Sequence, residues 1–269
     1  MFTVLYKCEI IKCNACYVGC QPYVLVIGED SMDFYKNKIL KNELDSNKSI
    51  RIKLLGDSIT HGLGGTGYFP KEEHIAGKFH RNNKGHCWAN SFRDYMKEKY
   101  DCTVINNGCS GVLIEFLIKH FDELVEPEDD FIICTIGTNN RRQRFSGGPK
   151  ATREAFGTRF YNNVVKLNDM FKAAGKKALF VANIPAAASN EMDKETFWRI
   201  LHMDDINEIH KRASENCGFP LISLYDLFTQ YCNDNNVTVE SLLYDEVHPN
   251  DTGYDVMFNL LIDALKLKD

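Results

Sequence analysis

The sequence Ile52-Lys53-Leu54-Leu55-Gly56-Asp57-Ser58-Ile59-Thr60-His61-Gly62 predicts a buried strand followed by a sharp turn. The apolar run stops at Gly56, and Ser58 follows two residues later. Ser58 would therefore lie at the rim of a sheet, where open α/β folds bind their ligands. Serine is also a common turn and helix N-cap residue, so its meaning depends on partners elsewhere in the chain.

Apolar runs recur after this segment and alternate with helical patterns. Short runs rich in Ile, Val, Leu and Phe predict strands buried on both faces, at 51–55, 103–106, 131–136, 178–183 and 220–223. Apolar residues on one face predict helices over 88–100, 152–174 and 256–267. This alternation predicts an α/β fold with a parallel sheet, right-handed crossovers and helices on both faces.

The first 49 residues differ from the rest and predict a small extension of unknown role before a main domain at 50–269. Residues 2–11 and 23–27 are rich in β-branched and aromatic residues and predict short strands, and 33–49 reads as a helix or linker. Cys13 and Cys16 have the spacing of a metal knuckle, with Cys8 and Cys20 beside them. No second pair follows downstream, so ordinary buried thiols are the favoured interpretation.

Composition excludes several classes of protein. The 269 residues carry a formal net charge of -5, which argues against a general nucleic-acid binder. No apolar run has the length of a membrane helix, and Lys7, Glu9 and Lys12 interrupt any signal-peptide core. Ten cysteines, several within apolar runs, fit free thiols in a reducing compartment. We therefore expect a cytoplasmic protein without membrane or nucleic-acid partners, and its oligomeric state stays open.

The long irregular segments share one position in the predicted fold. Residues 60–85, 139–151 and 184–204 each follow a strand, so they should gather at the same rim of the sheet. Gly62-Leu63-Gly64-Gly65-Thr66-Gly67 matches a dinucleotide-binding pattern, but it comes late after the strand and no apolar helix follows. We interpret it as a loop beside Ser58.

Three further segments supply chemistry that a nucleophilic serine needs. Asp245 precedes His248 by three residues, which allows the carboxylate to hold one imidazole nitrogen while the other faces a nucleophile. Segments 106–111 and 137–140 directly follow the second and third predicted strands. Their glycines and asparagines can donate N–H groups, the components of an oxyanion hole.

These blocks together resemble the SGNH/GDSL hydrolase family over residues 50–269. The matching blocks are Gly56-Asp57-Ser58, Ser110-Gly111, Gly137-x-Asn139 and Asp245-x-x-His248-Pro249-Asn250. The resemblance implies a flavodoxin-like three-layer α/β/α sandwich with a five-stranded parallel sheet. It also implies hydrolysis or transfer of acyl esters without a metal or other cofactor.

The resemblance assigns roles to individual residues. Ser58 would be the nucleophile, His248 the general base and Asp245 the residue that orients it. The oxyanion would be bound by the backbone N–H groups of Ser58 and Gly111 and by the amide of Asn139. The family often has Asp where this chain has Asn140, which places local loop structure in question.

The run Arg141-Arg142-Gln143-Arg144 follows the third block. Such a run is usually a solvated loop, and its alternative role is recognition of an anionic substrate group. The candidate substrate contacts at this stage are Asp57, Asn140, Arg141 and Arg142.

The leading hypothesis is a serine esterase that removes small acyl groups, above all acetyl from a carbohydrate, through an acyl-enzyme at Ser58. An O-acyltransferase would use the same residues with a sugar hydroxyl in place of water. A non-catalytic flavodoxin-like module that binds a nucleotide or flavin is the alternative from another class. The Asp245/His248 pair argues against it, because phosphate binding does not require such a pair.

Overall fold

The computed structural model describes residues 33–46, 49–68, 73–75, 79–81, 84–144, 151–191 and 197–268. Its strands are β1 (Arg51–Gly56), β2 (Glu73–Ile75), β3 (Phe79–Arg81), β4 (Thr103–Gly108), β5 (Phe131–Thr135), β6 (Arg142–Arg144), β7 (Lys177–Ala182), β8 (Phe197–Arg199) and β9 (Leu221–Ser223). One parallel sheet contains the order β4-β1-β5-β7-β9, and β2-β3 and β6-β8 form short antiparallel pairs. The five predicted strands are confirmed, and their order is that of flavodoxin-like sheets.

The helices are α1 (Ile39–Ser46), α2 (Ser58–His61), α3 (Trp88–Tyr100), α4 (Ile114–Lys119), α5 (Phe121–Leu124), α6 (Arg153–Ala173), α7 (Met203–Cys217), α8 (Leu224–Asn235) and α9 (Asp251–Ala264). The predictions over 88–100 and 152–174 are confirmed as α3 and α6. The predicted start at residue 256 is wrong, because Asn250 caps a polar first turn by accepting a 2.9 Å hydrogen bond from Gly253 N–H. None of the described helices combines the length and apolarity needed to cross a bilayer.

Each face of the sheet has its own hydrophobic core. Phe131 and Ile133 of β5 face one core, while Ile132 and Cys134 face the other, as alternation along a strand requires. The first core is covered by α1, α3, α8 and α9, and the second by α4 to α7. This arrangement is the predicted three-layer sandwich.

Helix α1 belongs to the first of these cores. Leu40 is fully buried and Leu44 is nearly so. Asn37 N–H also donates to Ala264 O at 2.8 Å. Residues 33–46 therefore contribute to the core that the sequence analysis assigns to 50–269. The predicted strands of the extension and its four cysteines lie outside the described residues, and the role of the extension stays a prediction.

The described cysteines are free thiols, as the sequence analysis expects. Cys217 is half-buried and the others are buried: Cys87, Cys102, Cys109, Cys134 and Cys232. Burial raises the pKa of Cys87 to about 11 and that of Cys109 to about 12. These thiols act as small apolar groups of the core.

The register of the sheet determines where the candidate site forms. Gly56, the last residue of β1, lies opposite Gly108 of β4 and Thr135 of β5. The segments after these three strands therefore leave the sheet at one level. A Cβ at Gly56 would overlap Thr60 and Thr135, so glycine is required for this tight exit from the strand.

Candidate active site

Ser58 is the first residue of α2, at the carboxyl end of β1. Asp57 is the N-cap of this helix, and its Oδ1 accepts a 3.1 Å hydrogen bond from Ile59 N–H. Gly62 ends the helix in a left-handed conformation with φ 98°, and its N–H donates to Ser58 O. The short helix thus holds Ser58 at the rim that the sequence predicts.

Ser58, His248 and Asp245 are brought together in one line of hydrogen bonds. Ser58 Oγ lies 2.7 Å from His248 Nε2, and His248 Nδ1 lies 2.8 Å from Asp245 Oδ2. A carboxylate at Nδ1 assigns the ring proton to that nitrogen, so the Nε2 lone pair faces the serine hydroxyl. This geometry suits a general base that accepts the serine proton.

A tight turn holds the aspartate and the histidine in this relation. Asp245 Oδ1 accepts from Val247 N–H at 2.7 Å and from His248 N–H at 2.8 Å. Tyr244 N–H donates to His248 O at 2.7 Å and closes the turn. Partial burial raises the pKa of Asp245, but the hydrogen bonds from His248 and Val247 outweigh burial, and the net pKa lies below its ordinary value. Asp245 is therefore ionised at neutral pH.

Gly111 and Asn139 come together at the rim of the sheet, in the segments that follow β4 and β5. Asn139 Nδ2 donates a 3.1 Å hydrogen bond to Val112 O. This bond joins the Gly137-x-Asn139 segment to the loop that contains Ser110 and Gly111. An amide nitrogen carries two hydrogens, so this bond leaves one further donor on Asn139. Gly111 is exposed with φ +76°, and space is open where a Cβ would stand. Both residues line a cavity of about 340 Å³.

A cluster of polar side chains that the sequence analysis missed supports the loop containing Ser110 and Gly111, with His61 buried, Tyr68 half-buried and Ser110 exposed. His61 Nδ1 lies 3.0 Å from Ser110 Oγ, and Tyr68 OH lies 3.1 Å from each of these atoms. The Tyr68 and His61 rings also meet edge to face at 5.2 Å. Burial raises the pKa of Tyr68 despite its bond to Ser110. The available signal was that Ser110 directly precedes Gly111 and that His61 lies in the first turn after Ser58.

Three of the four residues predicted to contact substrate are instead buried in the protein interior. Asp57 and Arg141 are fully buried, and Asn140 is 5% exposed. Burial raises the pKa of Asp57 against hydrogen bonds from Ile59 and Thr138. The geometry therefore does not support direct substrate contact by these side chains.

The contacts of Asn140 show how asparagine fits at the position where the family often has aspartate. Its Oδ1 accepts from Ile114 N–H at 3.0 Å at the start of α4, as a carboxylate could. Its Nδ2 donates to Glu115 Oε2 at 2.8 Å, which an aspartate could not do. The amide thus keeps the local loop structure and adds a contact to a neighbouring acid.

Arg141 links the loops at the rim. Its guanidinium donates to Glu191 Oε1 at 2.8 Å and to Asn190 Oδ1 at 2.9 Å, and its Nε donates to Thr138 O at 3.0 Å. Burial lowers the pKa of Arg141 to about 10, and the neighbouring Glu191 opposes this shift. Arg142, in contrast, lines the cavity beside Asn139.

The glycine-rich loop has no dinucleotide-binding geometry. Thr66 donates from its N–H and hydroxyl to Asp251 at 2.7 and 2.6 Å. A Cβ at Gly64 would overlap Pro249 O, so this loop packs closely against the turn that carries Asp245 and His248. The segment 62–67 thus does not connect a strand to a helix in the way that pyrophosphate binding requires.

One group of potential metal ligands occurs among the described residues. His202, Asp204 and Asp205 place ligand atoms within 4.8 Å of one another. Asp205 Oδ2 accepts from His202 N–H at 2.7 Å at the start of α7. His202 and Asp205 form a capping box at the start of α7. Helix capping therefore explains why these two side chains lie close together.

Comparison with known proteins identifies the family to which this α/β fold belongs. The chain belongs to the GDSL-like lipase/acylhydrolase family, whose model matches residues 54–256. It is a carboxylic-ester hydrolase. A search among curated proteins finds no match.

Solved structures share the fold at low identity. LAE5, an alpha/beta hydrolase enzyme from the metagenome of Lake Arreo, Spain, is 19% identical with a TM-score of 0.60, over 82% of this chain and 97% of its own. Axe2, an acetylxylan esterase from Geobacillus stearothermophilus, is 18% identical with a TM-score of 0.59, over 81% and 95% respectively.

Proposed function

We propose that this protein is a serine esterase that removes small acyl groups, above all acetyl, from a carbohydrate through an acyl-enzyme at Ser58. The observation that carries the proposal is the 2.7 Å contact between Ser58 Oγ and His248 Nε2, with Asp245 on the opposite ring nitrogen. The acetylxylan esterase among the structures that share the fold supports acetyl as the group.

In the first half of the reaction, Ser58 Oγ attacks the ester carbonyl carbon and His248 Nε2 takes the hydroxyl proton. The carbonyl oxygen becomes an oxyanion that accepts hydrogen bonds from Ser58 N–H, Gly111 N–H and Asn139 Nδ2. His248 then gives its proton to the leaving alcohol oxygen as the carbon–oxygen bond breaks.

In the second half, His248 removes a proton from water, whose oxygen attacks the acyl carbon. The bond to Ser58 Oγ breaks, and His248 returns the proton to that oxygen. The products are the alcohol and the carboxylic acid. Asp245 holds the ring and stabilises its charged form throughout.

Turnover of p-nitrophenyl acetate by wild type and Ser58→Ala tests the proposal. We expect Ser58→Ala to lose activity by a factor of about a thousand or more while remaining folded. A series from acetyl to octanoyl esters should show kcat/KM falling with chain length. If Ser58→Ala kept wild-type turnover and the same preference for short acyl chains, Ser58 would not be the nucleophile.

A further inference from the structure

The Gly111 N–H, a proposed oxyanion donor, lies in backbone that few contacts hold. Gly111 is exposed at φ +76°, and beyond its chain neighbours no described atom lies within 4 Å of the position that a Cβ would take. Within the described part of the chain, its N–H makes no hydrogen bond. Glycine is also the residue with the freest backbone. Because an oxyanion donor must be oriented before the reaction, a neighbouring group has to hold this N–H in place.

Ser110 is the neighbour that can hold it. The Ser110 carbonyl and the Gly111 N–H belong to one planar peptide unit, so a rotation of the Ser110 backbone turns the N–H as well. Ser110 Oγ lies 3.0 Å from His61 Nδ1 and 3.1 Å from Tyr68 OH. Tyr68 OH lies 3.1 Å from the same His61 nitrogen. These three polar atoms form a closed triangle, which we call the Ser110 triangle.

The available hydrogens determine how the Ser110 triangle is held together. A neutral imidazole Nδ1 carries either a lone pair or a hydrogen, and each hydroxyl carries one hydrogen. If Nδ1 carries a lone pair, the two hydroxyl hydrogens make two bonds. If it carries a hydrogen, that hydrogen and one hydroxyl hydrogen make two bonds. Both arrangements connect all three groups. Loss of the Tyr68 hydroxyl therefore removes one contact of Ser110, and loss of the Ser110 hydroxyl removes both.

His61 fixes the triangle to the helix that carries Ser58. Both residues lie in α2, and His61 is 3% exposed. Its backbone N–H donates to Asp57 O at 2.9 Å. A Cβ at Gly108 would overlap the same backbone nitrogen, so the end of β4 packs directly on α2. The triangle therefore ties Ser110 to the element that positions the nucleophile.

Tyr68 completes the triangle from the loop that follows α2. Its ring meets that of His61 edge to face at 5.2 Å, and its N–H donates to Gly65 O at 3.2 Å. Burial raises the pKa of Tyr68, so its hydroxyl keeps its hydrogen at neutral pH. Because ring and backbone contacts also hold this residue, Tyr68→Phe should remove the hydroxyl contacts and leave the ring in place.

We propose that Tyr68 is a positioning residue for ester hydrolysis: together with His61 it holds the Ser110 hydroxyl, and Ser110 in turn directs the Gly111 N–H at the oxyanion. The proposal rests on the proposed function, because the oxyanion forms on the carbonyl that Ser58 attacks. Tyr68 acts through Ser110 and does not touch the reacting atoms. Its loss should thus weaken the binding of the transition state and spare that of the ester.

Steady-state kinetics of Tyr68→Phe and Ser110→Ala on p-nitrophenyl acetate tests this proposal. Loss of a whole oxyanion donor costs about a hundredfold or more in kcat, and a poorly oriented donor should cost less. We expect kcat to fall by about threefold in Tyr68→Phe and about tenfold in Ser110→Ala, with KM changed by less than about twofold. Ser110→Thr keeps a hydroxyl and should stay within about twofold of wild type.

The double variant Tyr68→Phe/Ser110→Ala tests whether Tyr68 acts through Ser110. If it does, the double variant should lose no more kcat than Ser110→Ala alone, whereas independent residues would multiply their losses. Because Ser110 is exposed, Ser110→Ala and Ser110→Thr should fold and test the proposal even where Tyr68→Phe is unstable.

Tyr95→Phe is the matched control for the loss of a tyrosine hydroxyl. Tyr95 is also half-buried, and its hydroxyl donates to Leu267 O at 2.7 Å. The control should keep wild-type kcat and KM. Thermal unfolding of all the variants separates a loss of stability from a loss of turnover.

The outcomes distinguish the two proposals. Wild-type kcat in Tyr68→Phe or in Ser110→Ala, while hydrolysis still depends on Ser58, overturns the positioning role alone. A change confined to KM, multiplied losses in the double variant, failure of Ser110→Thr to retain turnover, or an equal loss in Tyr95→Phe also overturns it. Hydrolysis that persists in Ser58→Ala, or its absence with every ester, overturns the proposed function and the positioning role with it.

Discussion

Asp57 and Ser58 are adjacent in the chain, but their side chains serve different parts of the structure. The Asp57 carboxylate is buried, where it accepts from Ile59 N–H and, at 3.3 Å, from the Asn183 amide. Ser58 Oγ instead faces His248 Nε2. Because an N-cap fixes the start of a helix, the buried Asp57 holds the first turn in which Ser58 lies.

Asn139 offers the sharpest test of the proposed oxyanion site. Asn139→Ala should lower kcat by roughly a hundredfold or more, because one donor to the developing charge is removed. KM should change much less. Steady-state kinetics on p-nitrophenyl acetate measures both, and a change confined to KM would show that Asn139 binds the ground state.

The lowered pKa of Asp245 makes stability depend on pH. The native state holds this carboxylate ionised to a lower pH than the unfolded state does, so its contribution is complete above about pH 4 and is lost as pH falls through the native pKa. Asp245→Asn should therefore be less stable than wild type near about pH 7, and the difference should shrink towards about pH 3.

Urea unfolding of both proteins across this range measures the difference. A difference in unfolding free energy that stays constant with pH would mean that the charge of Asp245 does not stabilise the native state. Asp263→Asn is a suitable control, because Asp263 is exposed and pairs with an exposed lysine, Lys268.

Ser58, Asp245 and His248 could be singled out in the sequence because each stands at a recognisable break: after a buried strand, or on a tight turn before a helix. The burial of Arg141 could not. Its acceptors Asn190 and Glu191 come from the loop after β7, some 50 residues away, and no local pattern specifies the path of that loop. A charge run on a predicted loop therefore looked exposed.

At the level of elements, Asn190 joins two loops of the rim. It lies in the short 3₁₀ helix Ala188–Glu191, and its Oδ1 accepts from Arg141. Its Nδ2 donates to Glu246 Oε2 at 3.2 Å. Glu246 belongs to the turn that carries Asp245 and His248. Asn190 therefore connects this turn to Arg141, which follows Asn139 and Asn140 in the chain.

Asn190→Ala should lower the free energy of unfolding by about 1–3 kcal/mol, because the buried Arg141 guanidinium loses an acceptor. Asn162→Ala on the exposed face of α6 is the control and should change stability by less than about 0.5 kcal/mol. Chemical denaturation compares the two variants, and equal losses would mean that the bridge contributes nothing.

For the molecule as a whole, the position of α1 determines where the folded unit begins. Leu40 is fully buried in the same core as α3 and α9. Leu40→Ala should therefore cost about 2–5 kcal/mol, as the loss of a core leucine does. Val237→Ala, at a 37% exposed position, should change stability by about 0.5 kcal/mol or less.

Thermal and urea unfolding of Leu40→Ala and Val237→Ala test whether α1 packs on the core. Similar small losses in both would show that α1 does not pack on the core in solution. A chain that starts at residue 50 should be destabilised in the same direction as Leu40→Ala, because it lacks both leucines of α1.

The sheet could be predicted from sequence because strands buried on both faces are apolar at nearly every position. Helices α7 and α8 were not predicted, although α8 buries Leu224, Phe228 and Cys232 at helical spacing. In α7 the buried Met203, Ile206 and Ile209 are separated by charged residues, and three buried polar residues, Asn207, His210 and Ser214, share its inner face. The apolar pattern is thereby broken, although the helix packs against the second core.

The central claim is that Ser58 is the nucleophile activated by His248. Labelling with a p-nitrophenyl phosphonate, which a serine oxygen attacks with loss of p-nitrophenolate, tests it most directly when the adduct is mapped by mass spectrometry. One adduct per chain on Ser58, formed as activity is lost and strongly slowed in His248→Ala, is the predicted result. An adduct on another residue, or full activity after Ser58 is completely labelled, would contradict the claim.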